Sequence, residues 1–338
     1  MTLQDYIQVM RPAIEDELRQ FVLQSLPADY PELRQMLNYH MGWEGEGAGP
    51  EAQGKRIRPL LVLLSAEAAG GNWRQALPAA VAVELLHNFS LIHDDIQDNS
   101  PLRRNRPTVW VKWGVAQAIN AGDVMFTLAF LAVQDLDKFL PPQNVLRASR
   151  ILQQTCLRLT QGQYLDISYE SQPVLPIEAY WPMIGGKTSA LLSCSSELGA
   201  LAAGVVEEDR LANFREYGYS LGLAFQVLDD WLGIWGDSSL TGKSVESDLS
   251  SGKKTLPVLY GLSKNGAFAR RWMAGKIAPE EVPAVAQLLR EEGAHAYTRE
   301  TAGRLTEQSL DALRQAVCPG SASQALEELT HLLLERNN

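Results

Sequence analysis

The sequence predicts an all-α fold, a single large helical bundle around a central cavity. Nearly every long segment carries apolar residues at helical spacing rather than in alternation. β-branched runs of period two are absent, so no strand is expected. The central segments are 20 or more residues long and rich in Ala, Leu and Gly, which suits one bundle rather than a string of small modules.

In chain order, two helices open the sequence at 3–26 and 31–39. A Gly-rich loop from Gly42 to Gly54 then runs into Lys55-Arg56-Ile57-Arg58-Pro59. Helices are expected near 57–69, 74–98, 115–138, 142–170, 176–203 and 208–235. Shorter ones follow at 255–263, 266–274, 279–292, 295–317 and 321–336. Pro59, Pro78, Pro142 and Pro176 fall near proposed starts, where a missing N–H is tolerated. There is no repeat, no low-complexity stretch and no linker long enough to separate distinct domains, so 1–338 is expected to form one domain.

At 338 residues and 46% hydrophobic, the chain can bury a sizeable core. A net charge of −10 argues against nucleic acid as a partner while leaving room for a local basic pocket. Cys156, Cys194 and Cys318 are far apart, without metal-ligand spacing, and are expected to be reduced thiols of a cytoplasmic protein. Residues 1–22 lack the basic-then-apolar order of a secretory signal. Glu84 interrupts the apolar run 76–92, and no transmembrane segment is expected.

Two acidic clusters stand out. Asp94-Asp95-Ile96-Gln97-Asp98 ends one apolar helical stretch; Asp229-Asp230 ends another, with Asp237 seven residues beyond Asp230. Carboxylates crowded into one helical turn repel. Hard divalent cations, which prefer carboxylate oxygen and keep waters and substrate phosphates, are the fitting counter-charge. Asp94 and Asp98 share a helix face, and Asp95 lies about 100° round it. Taken alone, such a short pattern fits an exposed acidic helix end equally well.

The cations sharpen it. Arg103-Arg104 follows Asp98 across a turn at Asn99-Ser100-Pro101, and guanidinium forks suit phosphate oxygens. Arg106 is a third nearby cation, solvated by default. Lys55 and Arg58 sit at a helix opening, where anions are favoured. Lys187-Thr188 follows Gly185-Gly186, and Lys243 and Lys253 flank a Gly/Ser-rich loop. Acids and bases around one cavity would hold two diphosphates, one through metal and one directly.

From about Gly54 to Leu259 the chain resembles the trans-isoprenyl diphosphate synthases, the polyprenyl synthetase family. The residues that carry this are Gly54 to Pro59, Asp94 to Asp98 with Arg103-Arg104, Gly162-Gln163 with Asp166, Lys187-Thr188, Phe225-Gln226 with Asp229-Asp230, Gly242-Lys243, and Gly252-Lys253-Lys254-Thr255-Leu256-Pro257. The resemblance implies the isoprenoid synthase type of bundle, a homodimer, and about three Mg2+ per site. Asp94, Asp95 and Asp98 would bind two of them, and Asp229 and Asp230 a third. Lys55, Arg58, His87 and Arg104 would bind isopentenyl diphosphate. Arg103, Lys187 and Lys253, with Lys243 nearby, would grip the allylic diphosphate; Gln163, Thr188 and Gln226 would line the reacting centre. Asp94, Asp95, Arg103, Lys187 and Lys253 are the expected catalytic set.

A lone histidine on an apolar helix is usually core, but His87 lies two turns before Asp94 on nearly the same face; His93 is expected to be structural. The family's second motif usually ends in an aspartate where this chain has Gly233, so the third ion is expected to rest on Asp229, waters and phosphate, with Asp237 in support. Phe89 lies roughly 7.5 Å along the helix from Asp94. An aromatic there, with Ser90 beside it and no insertion in the motif, resembles makers of geranylgeranyl diphosphate (C20), with farnesyl (C15) as the alternative. Phe126 and Phe130 are candidate lower walls. A class I terpene cyclase would need no isopentenyl site, and a non-catalytic subunit would be expected to have lost acidic ligands.

Overall fold

The computed structural model describes residues 1–236 and 248–334. Asp237 and Lys243 lie outside the described residues. In order, the helices are α1 Leu3–Ser25, α2 Pro31–His40, α3 Pro50–Gln53, α4 Ile57–Ala68, α5 Leu77–Gln97, α6 Val109–Trp113, α7 Val115–Gln134, α8 Pro142–Glu170 and α9 Tyr180–Ile184. Then come α10 Ala190–Ala202, α11 Glu208–Trp235, α12 Asp248–Ser251, α13 Leu256–Ser263, α14 Ala267–Met273, α15 Val282–Glu291, α16 Ala294–Ala316 and α17 Ser321–Leu334. The all-α expectation holds. The described residues fall into two compact units: Met1–Cys156 with Cys194–Phe214 and Ala316–Leu326, and Leu157–Ser193 with Arg215–Gln315 and the segment from Glu327.

In the first unit, α1 starts from a reciprocal cap. The Asp5 N–H donates to Thr2 Oγ1 at 3.2 Å and the Thr2 N–H to Asp5 Oδ2 at 2.8 Å. Leu3, Tyr6, Met10, Ile14, Leu18 and Val22 then bury one stripe at helical spacing. Helix α5 packs against α7, α4 and α1. The segments Trp73–Gln97 and Val115–Lys138 are long and apolar enough to cross a bilayer by length and composition, with 67% and 39% of their apolar windows buried. The covering of α5 by its neighbours accounts for its apolarity. Helix α7 leaves Val115, Ile119 and Leu131 exposed.

Two local features depart from expectation. Leu102–Arg103 and Arg106–Pro107 pair as a small antiparallel hairpin, β1 and β2. Arg104 and Asn105 between them take φ of 52° and 60°, the positive pair that a tight two-residue turn requires. Two-residue strands are too short for alternation to announce them. The run expected as one helix over 176–203 is a 3-10 turn at Ile177–Ala179, α9, a π turn at Gly185–Ser189, and α10. Such wide turns frequently mark functional positions.

Arg56 anchors the start of α4. It is 3% exposed, donates from Nε to Glu15 and from Nη1 to Glu84, each at 2.6 Å, and reaches the Met41 carbonyl at 3.2 Å. Trp43 and Asn88 complete the two carboxylates' hydrogen bonds. Glu84, the lone acid in an apolar run, is the buried counter-ion. Arg106 is not solvated. It is buried, stacks 4.0 Å over the Tyr39 ring, and donates to the carbonyls of Tyr39, Glu44 and Glu46.

Breaking a buried pair leaves an uncompensated charge. Arg56→Ala is therefore expected to lower stability by about 3–5 kcal/mol in urea unfolding. Lys138→Ala, which removes an exposed pair with Asp135, should change it by under about 0.5 kcal/mol.

Candidate active site

The first unit gathers cations around one loop. Gly54 has φ of 78°, and a Cβ there would lie 2.7 Å from the Arg104 guanidinium carbon. The bare glycine lets Arg104 lie over the loop and donate to the Ala52 carbonyl at 2.7 Å. Arg58 Nη1 lies 3.2 Å from His87 Nε2. Burial first, then the charges of Arg58, Arg104, Arg103 and Arg56, hold the His87 imidazole well below its ordinary range. A neutral ring is thus available to accept the Arg58 N–H. The Arg58 Nε is buried with no hydrogen-bond partner. Lys55 is exposed at the edge. Arg58, His87 and Arg104 are brought together, and such a group is suited to a phosphate anion.

The first acid cluster lies at the C-terminal end of α5, where the helix dipole is itself unfavourable to anions. Asp94 is half-buried and Asp98 exposed. Asp95 differs: it is 2% exposed, with both oxygens 2.9 Å from Arg103 Nε and a further contact of 2.8 Å to Nη2. Burial raises its carboxyl while the Arg103 hydrogen bonds and charge oppose the shift. Back along the helix, the Phe89 ring stands 5.0 Å from Phe126, which stands 4.8 Å from Phe130. His93 packs on Phe89 at 4.7 Å, as its structural reading expects. Ser90 Oγ turns back to the His87 carbonyl at 2.7 Å.

In the second unit, α8 and the π turn meet at two glycines. A Cβ on Gly162 would fall 2.1 Å from the Lys187 nitrogen, and one on Gly186 would fall 2.6 Å from the Arg158 carbonyl. This close approach brings Lys187 into an ion pair with Asp166, and Gln163 lies half-buried on the same helix. Thr188 donates to Gln226 at 2.8 Å, and Gln226 to Asp230 at 2.9 Å. Tyr180 donates to the other Asp230 oxygen at 2.7 Å, joined by the Leu256 N–H at 3.0 Å. Asp230 is 4% exposed, and burial pushes its carboxyl up to about 7 against those three donors. Asp229 is half-buried. Lys253 is exposed, with Nζ 3.9 Å from Asp248.

Residues 48–290 match the polyprenyl synthetase family. The chain belongs to that family. Two synthases of Mycobacterium tuberculosis are similar to it. A (2E,6E)-farnesyl diphosphate synthase is 40% identical over 90% of this chain and 87% of its own length. A geranylgeranyl diphosphate synthase is 42% identical over 75% and 71%. Among solved structures, a geranylgeranyl pyrophosphate synthetase from Pyrococcus horikoshii is 33% identical, with a TM-score of 0.89, over 99% of this chain and 98% of that one. The protein is a trans-prenyltransferase, a short-chain isoprenyl diphosphate synthase.

Polyprenyl synthetases use divalent metal ions. Among the described residues no three of His, Cys, Asp and Glu could hold an ion by themselves. The less buried carboxylates Asp94, Asp98 and Asp229 nonetheless fit a hard cation that draws its other ligands from water and phosphate. Asp95 and Asp230, expected beside them as metal ligands, each have both oxygens engaged by protein donors. Sequence reasoning missed Tyr180, whose partner is 50 positions away.

Asp230 keeps in the folded state a proton that the unfolded chain has lost. Its burial should therefore cost stability as pH rises from about 4 to about 7. Asp230→Asn removes that cost, so its melting temperature relative to the parent should rise between about pH 5 and about pH 8. Parallel melting curves would show that Asp230 does not titrate in that window.

Proposed function

We propose that this chain makes geranylgeranyl diphosphate, joining isopentenyl diphosphate head to tail with an allylic diphosphate and releasing diphosphate. The ring stack of Phe89, Phe126 and Phe130 supports that length. A bulky aromatic one turn and a half behind Asp94 limits the growing tail. A C15 product is the second reading, favoured by the similarity to the farnesyl synthase.

Lys55, Arg58, His87 and Arg104 bind isopentenyl diphosphate, with neutral His87 orienting the Arg58 fork. Arg103, Lys187 and Lys253, helped by Lys243, grip the allylic diphosphate. About three Mg2+ ions are held by Asp94 and Asp98 and by Asp229, while Asp95 and Asp230 brace the helix ends. The bound cations supply the charge that stabilises the departing diphosphate. Arg103 is fixed by Asp95 and Lys187 by Asp166, so their charges are in place before the C–O bond breaks. Thr188 and Gln226 line the reacting carbon. The isopentenyl double bond attacks the allylic cation, and a proton then leaves to the released diphosphate. Apolar walls exclude water, which would otherwise capture the cation.

We also propose that the chain forms one functional domain and acts as a homodimer in the cytoplasm. The exposed apolar residues of α7, Val115, Ile119 and Leu131, support self-association.

Mass analysis of the product from dimethylallyl, geranyl and farnesyl diphosphate should give C20 from each. Phe89→Ala should lengthen the product by one or more C5 units. An unchanged product would remove Phe89 as the floor, and a C15 end product would favour the second reading.

A further inference from the structure

Between Asp248 and Glu280 the chain carries six cations and no acid, although overall it holds 40 acids against 30 lysines and arginines. The six are Lys253, Lys254, Lys264, Arg270, Arg271 and Lys276. Only Lys253 has a place in the proposed substrate site. Lys264 lies over the Tyr260 ring at 4.4 Å. Arg271 is engaged inside the fold: it meets Glu281 at 3.0 and 2.6 Å and donates to the Gly275 and Lys276 carbonyls at 3.1 Å each. These bonds fix the turn that follows α14.

That turn gives one end of α14 its surface character. Phe268 and Ala269 bury the inner side of the helix, which packs against α13 and α15. Trp272 is half-buried, and Lys254 Nζ lies 5.3 Å over its ring. Met273 is 55% exposed, and Arg270 and Lys276 are exposed as well. An aromatic ring with a cation on its face, an open thioether chain and two further cations thus share one short segment. The loop that carries Lys254 also reaches the acid pair of α11, since the Leu256 N–H donates to Asp230.

We propose that this end of α14, together with Lys254, is a contact for the surface of an anionic lipid bilayer. The net charge of −10 does not oppose it. At physiological salt, charges more than about 8 Å from the headgroups are screened, so the local cations decide. Trp272 and Met273 favour a bilayer over an acidic protein. A tryptophan ring settles at the headgroup level with its cation toward the phosphates, and a methionine chain enters the apolar boundary. The product gives the contact a use. A prenyl tail grown inside the protein is opposed by the hydrophobic effect if it must leave into water. Beside a bilayer it passes from one apolar phase to another, whether the product is C15 or C20.

The test is cosedimentation of the purified full chain with phosphatidylcholine vesicles, made with and without phosphatidylserine. The parent should bind only the vesicles that contain phosphatidylserine, and added salt should release it. Arg270→Gln combined with Lys276→Gln should weaken that binding about tenfold or more. Met273→Glu should weaken it as well. Both variants should keep the parent's melting temperature and its rate of prenyl transfer in vesicle-free buffer. Lys138→Gln combined with Arg314→Gln removes the same charge from other exposed sites and should bind as the parent does. Equal binding to both kinds of vesicle, parent-like binding by the Arg270 and Lys276 variant, or an equal loss in the charge-matched control would overturn the proposal. Binding to neither vesicle would overturn it too and leave the patch to an acidic protein.

Discussion

Adjacent carboxylates at the end of an apolar helix repel each other, and the structure answers that repulsion in the same way twice. In each Asp-Asp pair the second residue turns inward and is neutralised or hydrogen-bonded by protein. Asp95 takes the Arg103 fork; Asp230 takes Tyr180, Gln226 and the Leu256 N–H. The first residue, Asp94 or Asp229, is left more open. The inward acid fixes the helix end and a cation or a loop beside it. Much of what surrounds these pairs follows from that division, including the hairpin that delivers Arg103 and the turn that delivers Leu256.

A second constraint concerns positive charge. Arg58, Arg103 and Arg104 converge near His87, and their mutual repulsion is tolerated because the ring is neutral and Arg56 is paired with Glu15 and Glu84. The two kinds of arginine do opposite work. Arg56 and Arg106 are consumed by buried partners and hold the loop at 42–54, whereas Arg58 keeps a buried Nε without one. Such a group of cations is suited to a phosphate anion.

Helix positions were legible in the sequence because apolar periodicity is strong over long segments, as in 142–170 and 208–235. The hairpin was not, since strands of two residues carry no period. Nor was the π turn, which leaves helical spacing almost unchanged on either side. The motif residues of each unit could be grouped by type and spacing. Their division of labour could not: Asp94 and Asp95 look alike in sequence, and only burial separates them. Arg56 and Arg106 were illegible for the same reason, although Glu84 alone in an apolar run is a signal of a buried counter-ion.

The unequal roles of the paired aspartates are tested most directly by comparing four single variants, Asp94→Asn, Asp95→Asn, Asp229→Asn and Asp230→Asn, for Mn2+ affinity and unfolding free energy at neutral pH. The Asp94 and Asp229 variants are expected to lose metal affinity. The Asp95 variant is expected to lose stability through its unpaired arginine, and the Asp230 variant to bind Mn2+ within a few-fold of the parent. Equal loss of metal affinity in all four, with stability unchanged throughout, would contradict those unequal roles.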